Sequence, residues 1–483
     1  MKPILSFFFF LLFSTILPAQ TEMNSFTSTG SGYATSTIND YQSLGINPAN
    51  LGWKRNEHAM NIGFFEFGGS IFSEALTKKQ IFNDLYGNPI SLDYEDKENA
   101  ADAFTDTRTI GRASALLLGF SYQDENIGGF AFNIRERFIW HSLLNENAAN
   151  YLFLGYNDMY FDSTAFENGD EVGYSTDPQL ATSLYDGSDN HMLMYTEFNF
   201  GYGRKIIKKD DIKWYMGINI KYLIGQAMAR FYQNESGGLL ANSALSPAFG
   251  VEYEGNGVYD GTVNKLEGSG LKTVGNGFGF DIGTSLEIKQ KLKIGLAVND
   301  IGHIKWKKNV YEGWDGTIWR IDTPGINNYN IFEEGQLINT DNGPPPTDST
   351  IVGISELKLE LPIHFRGGLS YTFNEYIEAG LDTYVPLGEK VPGTIETPVF
   401  SIGVRANPAN WVQLSIGVVN GGKFGTNMPF GITFYPLRND KNTWEIGIAT
   451  RDMITLFKQN NPTVSFAFGF LRFSFSNKNA STN

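Results

Sequence analysis

The chain has 483 residues, a formal net charge of −15, 53 glycines, 14% aromatic residues and no cysteine. Such acidity argues against a nucleic-acid partner, which needs a basic face, and without cysteine neither disulfides nor a thiol-linked lipid can contribute to stability. Glycine and aromatic contents above ordinary globular usage point to many strands in close backbone contact.

Residues 1–20, MKPILSFFFFLLFSTILPAQ, start with Lys2, run apolar from Ile4 to Leu17 and reach a small residue at Ala19. This is the layout of a cleaved export signal, too short and wrongly flanked for a membrane span. No later run approaches the roughly 20 apolar residues of a spanning helix. Residues 21–57 form a turn-rich segment, with YQSLGINPANLGW at 41–53.

From residue 58 the pattern is period-two alternation. FGFDIGTSLEI at 278–288 sets Phe278, Phe280, Ile282, Thr284, Leu286 and Ile288 on one face, and Gly279, Asp281, Gly283, Ser285 and Glu287 on the other. Leu292, Ile294, Leu296 and Val298 part in the same way from Lys293, Gly295, Ala297 and Asn299. Fourteen strands are predicted, near 58–67, 113–122, 128–140, 192–206, 212–224, 277–288, 292–304, 362–373, 376–387, 397–406, 411–420, 428–436, 443–452 and 462–475.

Alternation alone also fits a soluble sandwich. Connection lengths separate the two architectures. Every second connection is short, as at Gln123–Asn126, Lys208–Asp211, Gln290–Lys291, Asn374–Glu375, Asn407–Asn410 and Arg438–Lys441. The intervening ones are long early in the chain, at 68–112, 141–191, 225–276 and 305–361. That sorting predicts an all-β fold, a closed antiparallel transmembrane β-barrel of about fourteen strands with turns periplasmic and loops outside. Charge placement agrees. A mid-depth Arg or Lys facing lipid costs about 2–4 kcal/mol, and Arg135, Lys221, Lys293 and Arg405 all take the polar phase, as do Glu197, Asp281, Glu287, Glu378, Asp382 and Glu445. These ten residues are expected to face the lumen.

The last strand, PTVSFAFGFLRFSF, ends in aromatics and resembles the signal read by the outer-membrane assembly machinery; residues 477–483 form a short tail. Its alternation slips after Phe470, which calls for a bulge or an interfacial Arg472.

Enzymatic motifs are missing. His58, His141, His191, His303 and His364 show no ligand spacing and are read as exposed or barrel-rim residues. GNGFGFDIG at 275–283 alternates as a strand with no helix after it, which fails the context of a phosphate loop. There is no Gly-x-Ser-x-Gly and no His-Glu-x-x-His. No enzyme, cofactor or metal is expected. The acidic loop residues Asp158, Asp162, Glu167, Asp170, Glu171, Asp177, Asp186 and Asp189 lack EF-hand spacing. The aromatics beside them, Tyr151, Phe153, Tyr156, Tyr160 and Phe161, either pack into a loop cap or present an apolar docking surface.

On three features, Asn47-Pro48-Ala49 ahead of strand one, the fourteen-strand layout and the paired strands at 277–306, the chain resembles the FadL-type outer-membrane barrels, the long-chain fatty-acid transporter superfamily. It is also similar to the related PorV-type barrels of type IX secretion. The resemblance implies an N-terminal plug, residues 21–57, inside a barrel of residues 58–476, with Asn47, Pro48 and Ala49 as the plug's turn. It further implies an outer-membrane location, contact with outer-membrane lipid, surface glycolipid and the assembly machinery, and passive transport of a small hydrophobic or amphipathic molecule. The long acidic loops depart from the apolar entry groove of a fatty-acid carrier. The alternative is a non-transporting barrel that docks secreted proteins or secretion machinery.

Overall fold

The computed structural model describes residues 25–53, 58–86, 91–167, 169–233, 239–249, 264–266, 268–313, 315–329, 351–388, 391, 394–423 and 425–476. The leader 1–20 and the tail 477–483 lie outside the described residues.

Fourteen strands build one closed sheet: β1 (His58–Ser73), β2 (Arg108–Asp124), β3 (Gly128–Leu143), β4 (Asp189–Lys209), β5 (Ile212–Gln233), β6 (Gly275–Ile288), β7 (Leu292–Trp306), β8 (His364–Thr372), β9 (Ile377–Pro386), β10 (Val399–Ala409), β11 (Val412–Gly421), β12 (Phe430–Arg438), β13 (Asn442–Thr450) and β14 (Thr463–Ser476). Each pairs antiparallel with the next. β14 pairs back onto β1, so no edge is left open. The number and order of strands are those of the alternation pattern.

The alternation also says which face points where. Phe278 and Phe400 are 65% and 62% exposed, whereas Asp281, three residues from Phe278 on the same strand, is wholly buried. The apolar phase therefore covers the outside of the barrel and the polar phase lines its interior, the reverse of a soluble sandwich. Aromatic pairs stand on this outer surface near the short turns: Phe130 with Tyr202, Tyr371 with Phe373, Trp411 with Phe434 and Trp444 with Phe473.

Several strands run further toward the long-loop end than alternation indicates. β1 continues to Ser73, β2 starts at Arg108, β4 at Asp189, and β5 runs to Gln233. A further strand, Leu239–Leu245, then pairs back onto β5 inside the stretch read as loop 225–276. The physical reason is that strands beyond an apolar surroundings need no apolar face, so their pattern fades while backbone pairing persists.

Bulges account for the breaks in phase. Phe64 and Phe65 both point outward, with Phe65 at φ 51°. Phe470 and Leu471 likewise both point outward, opposite a register shift between Glu445 and Gly447. That bulge returns Arg472 to the interior and removes the alternative of an interfacial arginine.

Three helices, α1 (Lys78–Tyr86), α2 (Tyr94–Phe104) and α3 (Glu146–Leu154), sit at the long-loop end. There too lies a small sheet of Ser163–Glu167, Asp170–Leu180 and Thr317–Ile321. α2 opens with a reciprocal capping box between Asp93 and Asp96. Phe104, Ala148, Ala149, Phe153 and Ile326 form a buried core for these loops, joined by Tyr329. Phe161 anchors a second core with Ile318 and Ile321, against which Tyr151, Tyr156 and Tyr160 pack. Of the two readings of the loop aromatics, the structure shows the packed cap. No described helix is long and apolar enough to cross a membrane.

Candidate functional site

The interior is occupied by residues 25–53, nearly all of them buried. The segment has little regular structure: a helical turn at Phe26–Thr29 and 3₁₀ turns at Tyr41–Ser43 and Pro48–Gly52. Asn47 caps the last of these, its side chain accepting from the Ala49 amide at 3.1 Å, and Pro48 takes the first turn position, where no N–H is required.

What lets an irregular segment fit so closely is glycine on the interior face of every strand. Register places these glycines opposite one another, as in Gly63–Gly119, Gly129–Gly203, Gly203–Gly217, Gly217–Gly283 and Gly295–Gly368 on one side of the barrel. Gly380–Gly403, Gly403–Gly417 and Gly447–Gly469 continue the belt on the other side. The space a side chain would fill is taken by the segment. A Cβ on Gly203 would lie 2.5 Å from the Pro48 carbonyl oxygen, one on Gly295 2.6 Å from that of Thr35, and one on Gly417 2.6 Å from that of Ser31.

Polar wall residues hold the segment in place. The Asn47 amide donates to Ser285 Oγ at 2.9 Å and to the Thr284 and Thr35 carbonyls at 3.2 and 3.3 Å. Asn50 donates to the Thr35 and Ile38 carbonyls and accepts from Ser285. Asp382 accepts from the Ala34 and Thr35 amides and from Thr35 Oγ1, all within 2.8–2.9 Å. Arg405 donates to Ser31 Oγ and to the Thr27 and Tyr33 carbonyls, lies 3.5 Å from Glu378 and stacks over the Tyr33 ring. Lys293 stands over Trp53 at 4.8 Å. Glu287 pairs instead with Lys213, at 2.7 Å. Glu445 pairs with Arg472 at 3.2 Å, and Arg472 also grips Asp40 of the segment.

Further toward the cap lies a layer of buried charge. Lys221 contacts Asp281 at 2.9 Å and Asp300, while Asn219 donates to the second Asp281 oxygen. Glu197 lies 3.1 Å from Arg137 and 3.9 Å from Arg135. His364 is 3.6 Å from Asp300, and Arg366 donates to the same histidine ring. His364 and His141 are thus interior residues, correcting the rim reading of both: they belong to the polar phase of their strands and are 0% and 3% exposed.

Above this layer the lining turns apolar. Ile139, Leu193, Met228, Ile304, Trp306 and Leu361 bound a cavity of about 60 Å³, with His191, Arg230 and Glu360 at its edge. Along β4 the sequence of layers is explicit: His191 and Leu193 at the cavity, Glu197 and Asn199 in the polar layer, Gly201 and Gly203 against the segment. At the opposite, short-turn end, a polar vestibule of about 260 Å³ opens between the segment and the wall, lined by Asn39, Asp40, Gln123, Arg405, Arg438 and Arg472 among others.

In the cap, burial pushes the Asp158 carboxyl up, opposed by the backbone amides of Tyr160 and Met159. Burial pushes the Lys97 ammonium down; it donates to the Pro324 carbonyl at 2.8 Å. Asp162 accepts from Thr176, and Glu167 from Tyr174 and Arg320. Among the described residues no group of three His, Asp or Glu side chains is placed to hold a metal ion.

Alternation alone misses Glu66 and Asp300, whereas His364 lies in the polar phase of its strand and the slip after Phe470 marks Arg472. Asp300 follows lumenal Asn299 and joins it inside only because a bulge between Val298 and Ile301, with Asp300 at φ 58°, puts two consecutive residues on one face. Glu66 accepts from Tyr41 and Gln42 of the segment; a lone charge inside the run FFEF was the available signal.

A family model described as "Family of unknown function (DUF5723)" matches residues 48–438. No curated protein matches in sequence. Among solved structures, the chain is similar to the TodX deltaS2S3 mutant monoaromatic hydrocarbon channel, with 10% identity, 94% of this chain and 98% of that one covered, and a TM-score of 0.48. It is similar to the Ralstonia pickettii toluene transporter TbuX, with 10% identity, 94% and 98% coverage and a TM-score of 0.42. A Pseudomonas aeruginosa FadL homologue shows 10% identity, 96% and 100% coverage and a TM-score of 0.43.

Proposed function

Starting from the fact that the chain belongs to the DUF5723 family, whose function is unassigned, we propose that it is an outer-membrane barrel for passive passage of a small hydrophobic or amphipathic molecule, with residues 25–53 closing its lumen. The outward apolar surface with aromatic pairs near the short turns has the composition a bilayer requires. Irregular backbone at membrane depth is tolerated only when buried in protein or lining a wet cavity, and residues 25–53 meet that condition inside the lumen.

The observation that carries the reading is the stacking of an apolar chamber, under the cap, on a lumen stopped by a separate segment. At about 60 Å³ the chamber is well below the roughly 300 Å³ at which small-molecule sites begin. Passage therefore requires the segment to shift, whether or not the cap moves with it, and residues 25–53 act as the plug. In a chain without cysteine no disulfide ties plug to wall.

A second reading, a sealed barrel whose cap docks exported proteins, is favoured by the density of bonds between wall and plug. Uptake of a fluorescent apolar solute by proteoliposomes separates the two. The transport reading expects slow uptake by the full chain and faster uptake once residues 21–57 are removed. No uptake by either form, from barrels that still show heat-modifiable migration, refutes it.

A further inference from the structure

We infer that the β4–β5 and β6–β7 turns form a binding site for the anionic phosphate headgroups of the periplasmic leaflet. The inference rests on the membrane reading above. In a chain of net charge −15, Lys208, Lys209, Lys289 and Lys291 gather at the barrel's short-turn end, with Lys205 just inside them on the phase of Tyr215. Pairing brings the two turns together: Ile212 lies opposite Ile288, and the Lys289 amide donates to the Asp211 carbonyl at 2.8 Å. The lysine side chains are exposed or half-exposed, and among the described residues no ion pair engages them. Asp210 and Asp211 offset only part of the charge. Other turns are less basic than this one: 125–127 carries Glu125, 374–376 carries Glu375, 407–410 has no charge, and 438–441 sets Arg438 and Lys441 against Asp440.

Position selects the occupant. The outward apolar band ends on these same turns, with Ile206, Ile207 and Ile212 at 52%, 45% and 44% exposure. Lys208 and Lys209 follow directly, so their aliphatic stems can lie along the band while the ammonium groups reach the phosphate level. A soluble acidic partner would not require the adjoining isoleucines.

Native mass spectrometry of the full chain, released from bilayers of equimolar phosphatidylglycerol and phosphatidylcholine, tests this. The wild type is expected to retain phosphatidylglycerol over phosphatidylcholine by at least about fivefold, the effect of one lysine at an anionic surface. The variant K205Q/K208Q/K209Q/K289Q/K291Q should lose that preference, while the cap-side control K78Q/K79Q/K458Q keeps it. Equal retention of both lipids by the wild type, or an unchanged preference in the five-lysine variant, overturns the inference and leaves the barrel reading standing. Lysine-dependent binding to peptidoglycan without lipid preference also overturns it. Failure of the wild type to enter any bilayer overturns both.

Discussion

Replacing Gly217 by alanine puts the seating of the plug under direct strain. The new Cβ would lie 2.5 Å from the Ala49 amide nitrogen and against the Pro48 carbonyl, where ordinary contact begins near 3.4 Å. One partner must retreat by about 1 Å, an overpacking that costs about 1–3 kcal/mol. β5 is hydrogen-bonded on both sides, to β4 and β6, so the segment yields first. If the strain falls on the closed state alone, the closed-to-open ratio drops by about 5- to 150-fold. Gly69→Ala is the matched control, since its Cβ meets the Phe466 and Phe67 rings at ordinary contact, 3.4 and 3.6 Å. Planar-bilayer recording reads the open probability, and limited proteolysis reads exposure of residues 25–53. Gly217→Ala should raise both, with heat-modifiable migration retained. Behaviour identical to Gly69→Ala in both assays would refute the reasoning.

The repeated tetrapeptide Asn-Pro-Ala-Asn allows a comparison at constant local sequence. Asn47→Ala removes a cap and three interior hydrogen bonds and should cost about 1–3 kcal/mol in urea unfolding, whereas Asn407→Ala, on a half-buried turn where it accepts from Gln413, should cost about 1 kcal/mol or less. Lys221→Met strands Asp281 and Asp300 in the interior and should cost about 3–5 kcal/mol by the same measurement, with most of the loss recovered when both carboxylates are also changed to Asn. Phe153→Ala should loosen the cap by about 3–5 kcal/mol, seen as faster hydrogen exchange over 94–104 and 146–154 while exchange in β9–β12 is unchanged.

Alternation revealed the barrel because lipid and lumen impose opposite chemistry on consecutive residues, a constraint as strong at Phe278–Asp281 as at Phe400–Ser401. It failed where that constraint lapses. Beyond the apolar band β4 and β5 continue as strands without an apolar face, and at bulges Asp300 and Arg472 enter the lumen out of phase. The placement of Arg135, Glu197, Lys221, Asp281, Asp382 and Arg405 follows from phase, but their partners do not. Phase says that a side chain points inward, whereas Asp382 meeting the Thr35 amide depends on the path of an irregular segment with no periodicity to read. The glycine belt was visible as composition. Its meaning became legible only once register set Gly203 beside Gly217 and the segment filled the space between them.

The central claim is that solute passes only when residues 25–53 shift. A chain without native cysteine permits a clean lock: Asn47→Cys with Ser285→Cys, whose native side chains meet at 2.9 Å, joins plug to wall. Uptake of an apolar solute into proteoliposomes should be abolished when this pair is oxidised and restored by reduction, with each single-cysteine variant indifferent to both treatments. Undiminished uptake through the oxidised barrel would contradict the account.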